Sequence, residues 1–353
     1  MIGRTPVFAH RGMRACITKR TLATLACVPG VAAAHVGGRA DPWQGWTITP
    51  AIVIGTLLVL IVYARGAAKS NLGQRAAFAI GTGLLFLALQ SPVDSLAQSS
   101  FAAHQVQHLV LLALAPMLLA LSAPASSLIS GMPLIVRRNL YAPVSSLRPV
   151  RAAFAVLARP PVAALHLIGA MVFWLVPAIQ AEALANPALH DVMHFSMLIA
   201  GLFFWFSAFD PRPPPIGARY GRRIVAILAV LVVNVLLGSY LSFKNTRLYP
   251  AYDELSSLGL PALADERLGG LVQYVPGSMM LVLGVILVLR GWSRREWRLE
   301  GWRARGFPQV RSHELARSRK PSTRRVGFIL GVFSIFMFMA AIVVVVIAHS
   351  AGS

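Results

Sequence analysis

The chain has 353 residues, of which 56% are hydrophobic and only 13% are charged, and its mean hydropathy is +0.66. A soluble globular protein carries about 25% charged residues, so this composition excludes that class and also excludes a disordered chain. Only two cysteines are present, which excludes a disulfide scaffold. The composition therefore predicts an integral membrane protein with room for several spans.

The first 34 residues are typical of an export signal. Lys19 and Arg20 precede an apolar stretch that starts at Leu22, and the alanines at 32–34 offer small residues for cleavage. Cleavage would leave His35 at a mature N-terminus outside the membrane. The alternative is an uncleaved, short first helix, and both interpretations give the same topology for the rest of the chain.

Eight further segments are long and apolar enough to form membrane-spanning helices, which need about 20 such residues. They are residues 48–64, 74–91, 102–122, 161–181, 191–209, 224–243, 268–289 and 326–347. These segments predict an all-α, polytopic transmembrane bundle. Its seven core spans lie within residues 35–291, and one C-terminal span lies within residues 326–353.

The connecting segments alternate strongly in charge. Of the 33 Lys and Arg residues, 29 lie on one side of the predicted spans, and the four on the other side are Arg39, Lys244, Arg247 and Arg267. The positive-inside rule makes the basic side cytoplasmic, which places the mature N-terminus and the C-terminus outside. The net charge of +21 is thus mainly a topology signal, and no nucleic-acid partner is expected.

Two connecting segments have a distinctive composition. Segment 292–325 is a basic cytoplasmic connector with Trp292, Trp297 and Trp302 among its arginines, which predicts an interfacial helix on anionic lipid. A solvated linker is the alternative. Segment 244–267 is the longest connection on the outer side and contains Tyr249 and Tyr252. It could meet a partner or cap the bundle.

Four of the nine histidines form two pairs with the same spacing. His104 and His108 lie near the start of the third span, and His190 and His194 at the start of the fifth. A spacing of four residues puts both imidazoles on one helix face. Both helices run from the outside inward, so both pairs lie in the outer leaflet. Two such faces turned toward each other would present four nitrogen ligands to one centre.

This set of side chains favours a metal or haem centre. Imidazole without thiolate suits copper, zinc or iron rather than calcium or magnesium, and Met193 and Met197 could add thioethers for cuprous copper. A hydrogen-bonded structural cluster and a proton-handling group are the alternatives, since polar residues in spans tend to be functional. Residues that could orient the rings are Asp94, Gln105, Gln107 and Asp191. No phosphate loop or nucleophile with a nearby base is present, so an enzyme is not expected.

Three sequence blocks carry a family resemblance. FAAHQVQHLVLLALAPMLLALSAP, residues 101–124, resembles the signature of the bacterial caa3-type cytochrome c oxidase assembly factors, the CtaG family. HDVMHFSMLIAGLFFWFSAFDP, residues 190–211, is similar to the second histidine block of that family. ADERLGGLVQYVPGSMM, residues 264–280, is similar to a third block, which usually has Asp-Gln-Gln before the Gly-Gly and a Trp before the Pro-Gly. This chain has Glu266, Arg267 and Tyr274 in those places.

The resemblance implies a bacterial inner-membrane protein that helps to mature a haem–copper oxidase. Its implied partners are cytochrome c oxidase subunits and a periplasmic copper chaperone. It implies copper, held by candidate ligands His104, His108, His190 and His194. A site that hands copper on is expected to be open rather than closed and tetrahedral. Copper transport, haem bound by one histidine from each helix, and a structural scaffold without a metal are the alternatives.

Overall fold

The computed structural model describes residues 49–90, 92–212, 217–252 and 258–304. These ranges are helical and contain no strand, which confirms the predicted all-α class. The signal-like segment 1–34 and the predicted C-terminal span 326–347 lie outside the described residues.

The helices follow one another through short connections. Their bounds are α1 Pro50–Gly66, α2 Leu72–Gln90, α3 Pro92–Ser99, α4 Phe101–Leu121, α5 Ala125–Gly131, α6 134–146, α7 Arg148–Leu157, α8 Pro160–Trp174, α9 Pro177–Ala185, α10 Pro187–Ala208, α11 Tyr220–Phe243 and α12 Ala262–Ala304. Prolines start α1, α8, α9 and α10, where the N–H that proline lacks would have had no partner inside the helix.

Among the described residues, five helices are long and apolar enough to cross a membrane: α2, α4, α10, α11 and α12. Helices α7 and α8 meet at 78° and count as a sixth span if they are taken together, whereas α1 is apolar but has only 17 residues. The predicted span 161–181 is divided at Leu175 and Val176, because Pro177 starts a new helix. A multi-pass helical protein is therefore supported, while the number of seven core spans stays a prediction.

Helix α12 is much longer than the span that the sequence predicts at 268–289. It has 43 residues, which at 1.5 Å per residue gives a length of about 65 Å, roughly twice the hydrocarbon thickness of a bilayer. Its last part runs into the predicted basic connector. There Trp292 stacks on Tyr220 of α11 with ring centroids 5.7 Å apart, and Trp297 is 75% exposed.

The main hydrophobic core lies where α4, α8, α10, α11 and α12 meet. Trp205 and Ile227 are completely buried in it. Tyr274 of α12 packs so tightly against Gly238 of α11 that a Cβ added to this glycine would lie 2.7 Å from the Tyr274 Cβ. Large apolar side chains are also exposed on the outward faces of the helices, as expected where a bundle meets lipid.

Helix α4 contains a π-helical turn at Val110–Leu114, directly before Pro116. Pro116 has no N–H, so the carbonyl of Leu112 cannot receive the regular bond from the residue four positions on. The indole N–H of Trp205 donates to this carbonyl over 3.3 Å. Gly201 comes so close that a Cβ added to it would lie 2.5 Å from the same oxygen. Helices α4 and α10 thus touch one to three turns beyond their histidines.

Replacing Gly201 by alanine is expected to destabilise the protein by about 1–3 kcal/mol, because the new methyl group would press on the backbone of α4. Gly169→Ala is the matched control, since nothing lies within 4 Å of its added Cβ and it gains the same helix propensity. Thermal unfolding in detergent compares the two variants. Equal unfolding midpoints would contradict the close approach of α4 and α10.

Candidate metal centre

Helix α4 begins at a firmly held N-terminus. Ser100 caps it by accepting the N–H of Ala103. The Ser100 hydroxyl donates to Oδ1 of Asp265 over 2.8 Å, and the N–H of Phe101 donates to Oδ2 over 2.6 Å. A carboxylate is also favoured by the positive end of the helix dipole. Asp265 lies in the first turn of α12 and is 1% exposed. It therefore fixes the helix that carries His104 and His108.

The N-terminus of α10 is held by a residue next to it in the sequence. The side chain of Asn186 accepts the N–H groups of Ala188 and Leu189, and Pro187 occupies the first turn. Asn186 thus places His190 and His194 one and two turns into the helix. His190 is the most accessible of the four paired histidines, and the other three are buried.

The four imidazoles form one cluster between α4 and α10. Within each helix the ring centroids lie 4.2 Å apart for the His104 pair and 4.3 Å apart for the His190 pair. Between the helices, centroid distances are 5.4 to 5.8 Å. His104, His190 and His194 can each offer one nitrogen so that the three atoms lie within 4.8 Å of one another. His108 is outside that group of three, although its ring touches the cluster.

One ring nitrogen of each histidine in the cluster lacks a partner among the described residues. The Nε2 atoms of all four histidines are buried and make no hydrogen bond to any described residue. An unpaired buried polar atom costs about 1–3 kcal/mol, so four of them together call for a bound ion or water. Neutral imidazole nitrogen is a common ligand for copper, zinc and iron, so the residues present fit such an ion.

Residues 244–252, which we call the capping segment, reach the cluster through Tyr252. The hydroxyl of Tyr252 lies 2.7 Å from Nδ1 of His104, and Gln180 donates to the same oxygen over 2.8 Å. Burial raises the pKa of Tyr252, so the hydroxyl stays neutral. With a metal at Nε2 of His104, Nδ1 would carry the hydrogen and donate it to Tyr252, which would fix the ring. Residues 244–252 therefore pack on the bundle, and a partner for segment 244–267 stays a prediction.

An acidic group lies beside His190. Asp94 and the exposed Asp191 are close enough to interact electrostatically with His190. Burial raises the pKa of Asp94, while a hydrogen bond from Gln107 at 2.8 Å favours its charged form. Gln107 also donates to the carbonyl of Ala88 over 2.8 Å. Its amide therefore connects α4 to α2 and α3 and does not reach a histidine ring. The negative charge favours cations at the accessible end of the cluster.

Removing the hydroxyl of Tyr252 by Tyr252→Phe is expected to weaken metal binding about 10- to 100-fold, the usual cost of losing a partner that orients a ligand. Tyr249→Phe is the matched control, because Tyr249 is equally buried but its hydroxyl donates to the Leu175 carbonyl. Competition with a chelator measures the affinities. If both variants bind as the wild type does, Tyr252 does not orient a ligand.

Residues 56–295, more than half of the chain, match the model of the cytochrome c oxidase caa3 assembly factor family. All four paired histidines fall within this range. The chain belongs to this family. Membership confirms the resemblance seen in the sequence, supports a role in oxidase assembly with an oxidase as partner, and favours a non-catalytic role. No curated protein and no solved structure matches the chain.

In this assembly factor, the two charged residues that depart from the usual family pattern hold the capping segment. Glu266 is 1% exposed, forms an ion pair with Lys244, and accepts the N–H groups of Leu248 and Tyr249 at 2.9 and 3.0 Å. Arg267 donates to the carbonyl of Lys244 over 2.9 Å. Both residues therefore keep Tyr252 in place, a role that the sequence alone did not reveal.

Proposed function

We propose that this protein helps to assemble a bacterial haem–copper oxidase by holding copper at the cluster of His104, His108, His190 and His194. The observation that supports this most is that His104, His190 and His194 can each offer one ring nitrogen within 4.8 Å of the other two. The Nε2 atom of each paired histidine is also buried without a partner among the described residues. Family membership indicates that the partner is an oxidase, and the maturation of a haem–copper oxidase requires copper. Neutral imidazoles bind copper without giving up a proton, which suits repeated loading and release.

The donor set favours transfer over permanent storage. With three nitrogen ligands, the copper ion would keep one coordination position open for a ligand from another protein, as in metal sites that exchange their fourth ligand. In the proposed sequence, copper enters at the accessible His190, is held by the three-nitrogen group, and leaves when a ligand of an oxidase subunit replaces the histidines one at a time. A periplasmic copper chaperone would supply the ion.

The charge distribution supports an orientation for this mechanism. With 29 of 33 basic residues on one side, we place the protein in the bacterial inner membrane with both mature termini outside. The histidine cluster then lies in the outer leaflet, where copper arrives, and the arginine-rich inner surface rests on anionic lipid.

Haem is a less well supported ligand for the same histidines. The cavity next to the cluster has a volume of about 50 Å³, whereas sites for organic ligands usually measure about 300–1,000 Å³. A porphyrin would require the helices to separate. A structural cluster without metal would need water at its four buried nitrogens, because leaving them unpaired is costly.

Metal content and the visible spectrum of the purified protein test the proposal, beside a variant in which all four paired histidines are alanine. His166→Ala is the control, since His166 lies on α8 outside the cluster. We expect copper in the wild type and the control and none in the fourfold variant. A Soret band would show that the histidines bind haem instead of copper. If no protein holds metal or haem, the ligand proposal is wrong and assembly must rest on protein contacts.

A further inference from the structure

A cavity of about 50 Å³ borders the histidine cluster on the side of His108. Its walls come from α4, α8, α10, α11 and α12. Most of the lining is apolar, but seven side chains carry polar or sulfur atoms: Gln105, His108, Met171, Met197, Trp205, Asn234 and Gln273. The cavity therefore combines an imidazole, an indole, three amides and two thioethers within a membrane bundle.

Three polar atoms of these walls have no partner. Nε2 of Gln105, Nε2 of His108 and Oε1 of Gln273 are buried and make no hydrogen bond to any described residue, and each of the three residues is at most 9% exposed. Such atoms are costly in an apolar interior unless something binds them. The volume suits a small ion with water rather than an organic molecule.

The sulfur atoms in the cavity walls indicate which ion the cavity would bind. Met197 is 2% exposed and Met171 is 8% exposed, and they reach the cavity from two different helices, α10 and α8. Thioether is a soft ligand that suits cuprous copper and does not suit calcium or magnesium. Methionine also fills gaps in ordinary cores. Here, however, the two side chains share a cavity with the unpaired nitrogen of His108, the one paired histidine outside the three-nitrogen group.

We propose that this cavity is a second, inner position for cuprous copper, with Nε2 of His108 and the thioethers of Met171 and Met197 as its ligands. The inference rests on the proposed function and adds a softer position next to the three-histidine position. The rings of His104 and His108 lie 4.2 Å apart, so a cuprous ion can move between the positions by exchanging neighbouring ligands. Gln105 and Gln273 would hold water beside the ion.

X-ray absorption at the copper edge tests this inference on the full-length protein in detergent. The protein is loaded anaerobically with one equivalent of cuprous copper, and selenomethionine-labelled protein is measured in parallel. The test variant carries Met171→Leu and Met197→Leu, substitutions that nearly conserve volume. Met117→Leu is the matched control, because Met117 is a buried methionine of α4 that does not line the cavity.

We expect sulfur scattering in the wild type and the control, and selenium scattering in the labelled protein. The double variant should show nitrogen alone and bind cuprous copper about 10-fold more weakly in competition with a chelator. Nitrogen-only spectra in every protein, including the labelled wild type, would overturn the inner position and leave the histidine site standing. The labelled wild type gives this answer even if the double variant does not fold. Absence of copper from every protein would overturn the proposed function itself.

Discussion

The His194→Ala variant is expected to lose bound copper during purification, with an affinity lowered by about 100-fold or more, since removal of even an orienting partner costs about 10- to 100-fold. His194 supplies one of the three nitrogens that lie within 4.8 Å of one another, so its loss leaves two. Copper retained after gel filtration, followed by chelator competition, measures the effect. His166→Ala should retain the wild-type copper content.

His108→Ala separates the two copper positions. Because His108 lies outside the three-nitrogen group, this variant should still bind cupric copper through the remaining histidines. It should nevertheless lose the sulfur scattering that cuprous copper is expected to produce.

Full copper content in His194→Ala would show that the cluster is not the copper site. Complete loss of cupric copper in His108→Ala would show that all four histidines act as one unit.

The second large effect is expected at Asp265, whose replacement by alanine should lower the free energy of unfolding by about 3 kcal/mol. Two buried donors, the hydroxyl of Ser100 and the N–H of Phe101, would lose a charged acceptor. The N-terminus of α4 would then be released, so copper retention should fall together with the thermal unfolding midpoint. Both are measured on the same detergent-purified sample.

Glu182→Ala is the control for the removal of a carboxylate, because Glu182 is exposed on α9. It should leave the unfolding midpoint and the copper content unchanged. An Asp265→Ala protein with a wild-type midpoint would contradict the role of Asp265 in holding α4. A lower midpoint with full copper retention would separate the stability of this helix end from the geometry of the metal centre.

Local patterns predicted the helices that carry the candidate site. Long apolar runs predicted the five helices that are long and apolar enough to cross a membrane, and the spacing of four residues predicted which histidines share a helix face. The sequence could not show how those faces are oriented. Tyr252 lies 148 positions from His104, and Asp265 lies 164 positions from Phe101, so no local pattern connects them. Such contacts are determined by the packing of whole helices.

Helix ends were harder to predict than helix interiors. The basic residues after position 289 mark the expected end of an apolar run, but they are good helix formers, and α12 continues to Ala304. Conversely, the apolar run 161–181 is continuous in composition, yet Pro177 divides it into α8 and α9. Hydropathy therefore predicts which residues prefer lipid, whereas backbone chemistry determines where a helix stops.

The π-helical turn at Val110–Leu114 has a consequence for the spacing of residues along α4. A π turn accommodates one residue more than an α turn, and each residue advances the helix by about 100°. If the same residues formed a regular α-helix instead, His104 and His108 would be rotated by about 100° relative to Pro116 and the half of α4 that follows it. The histidines would then turn away from α10 although every ligand was still present. The wide turn itself is thus as much a requirement of the centre as the histidines.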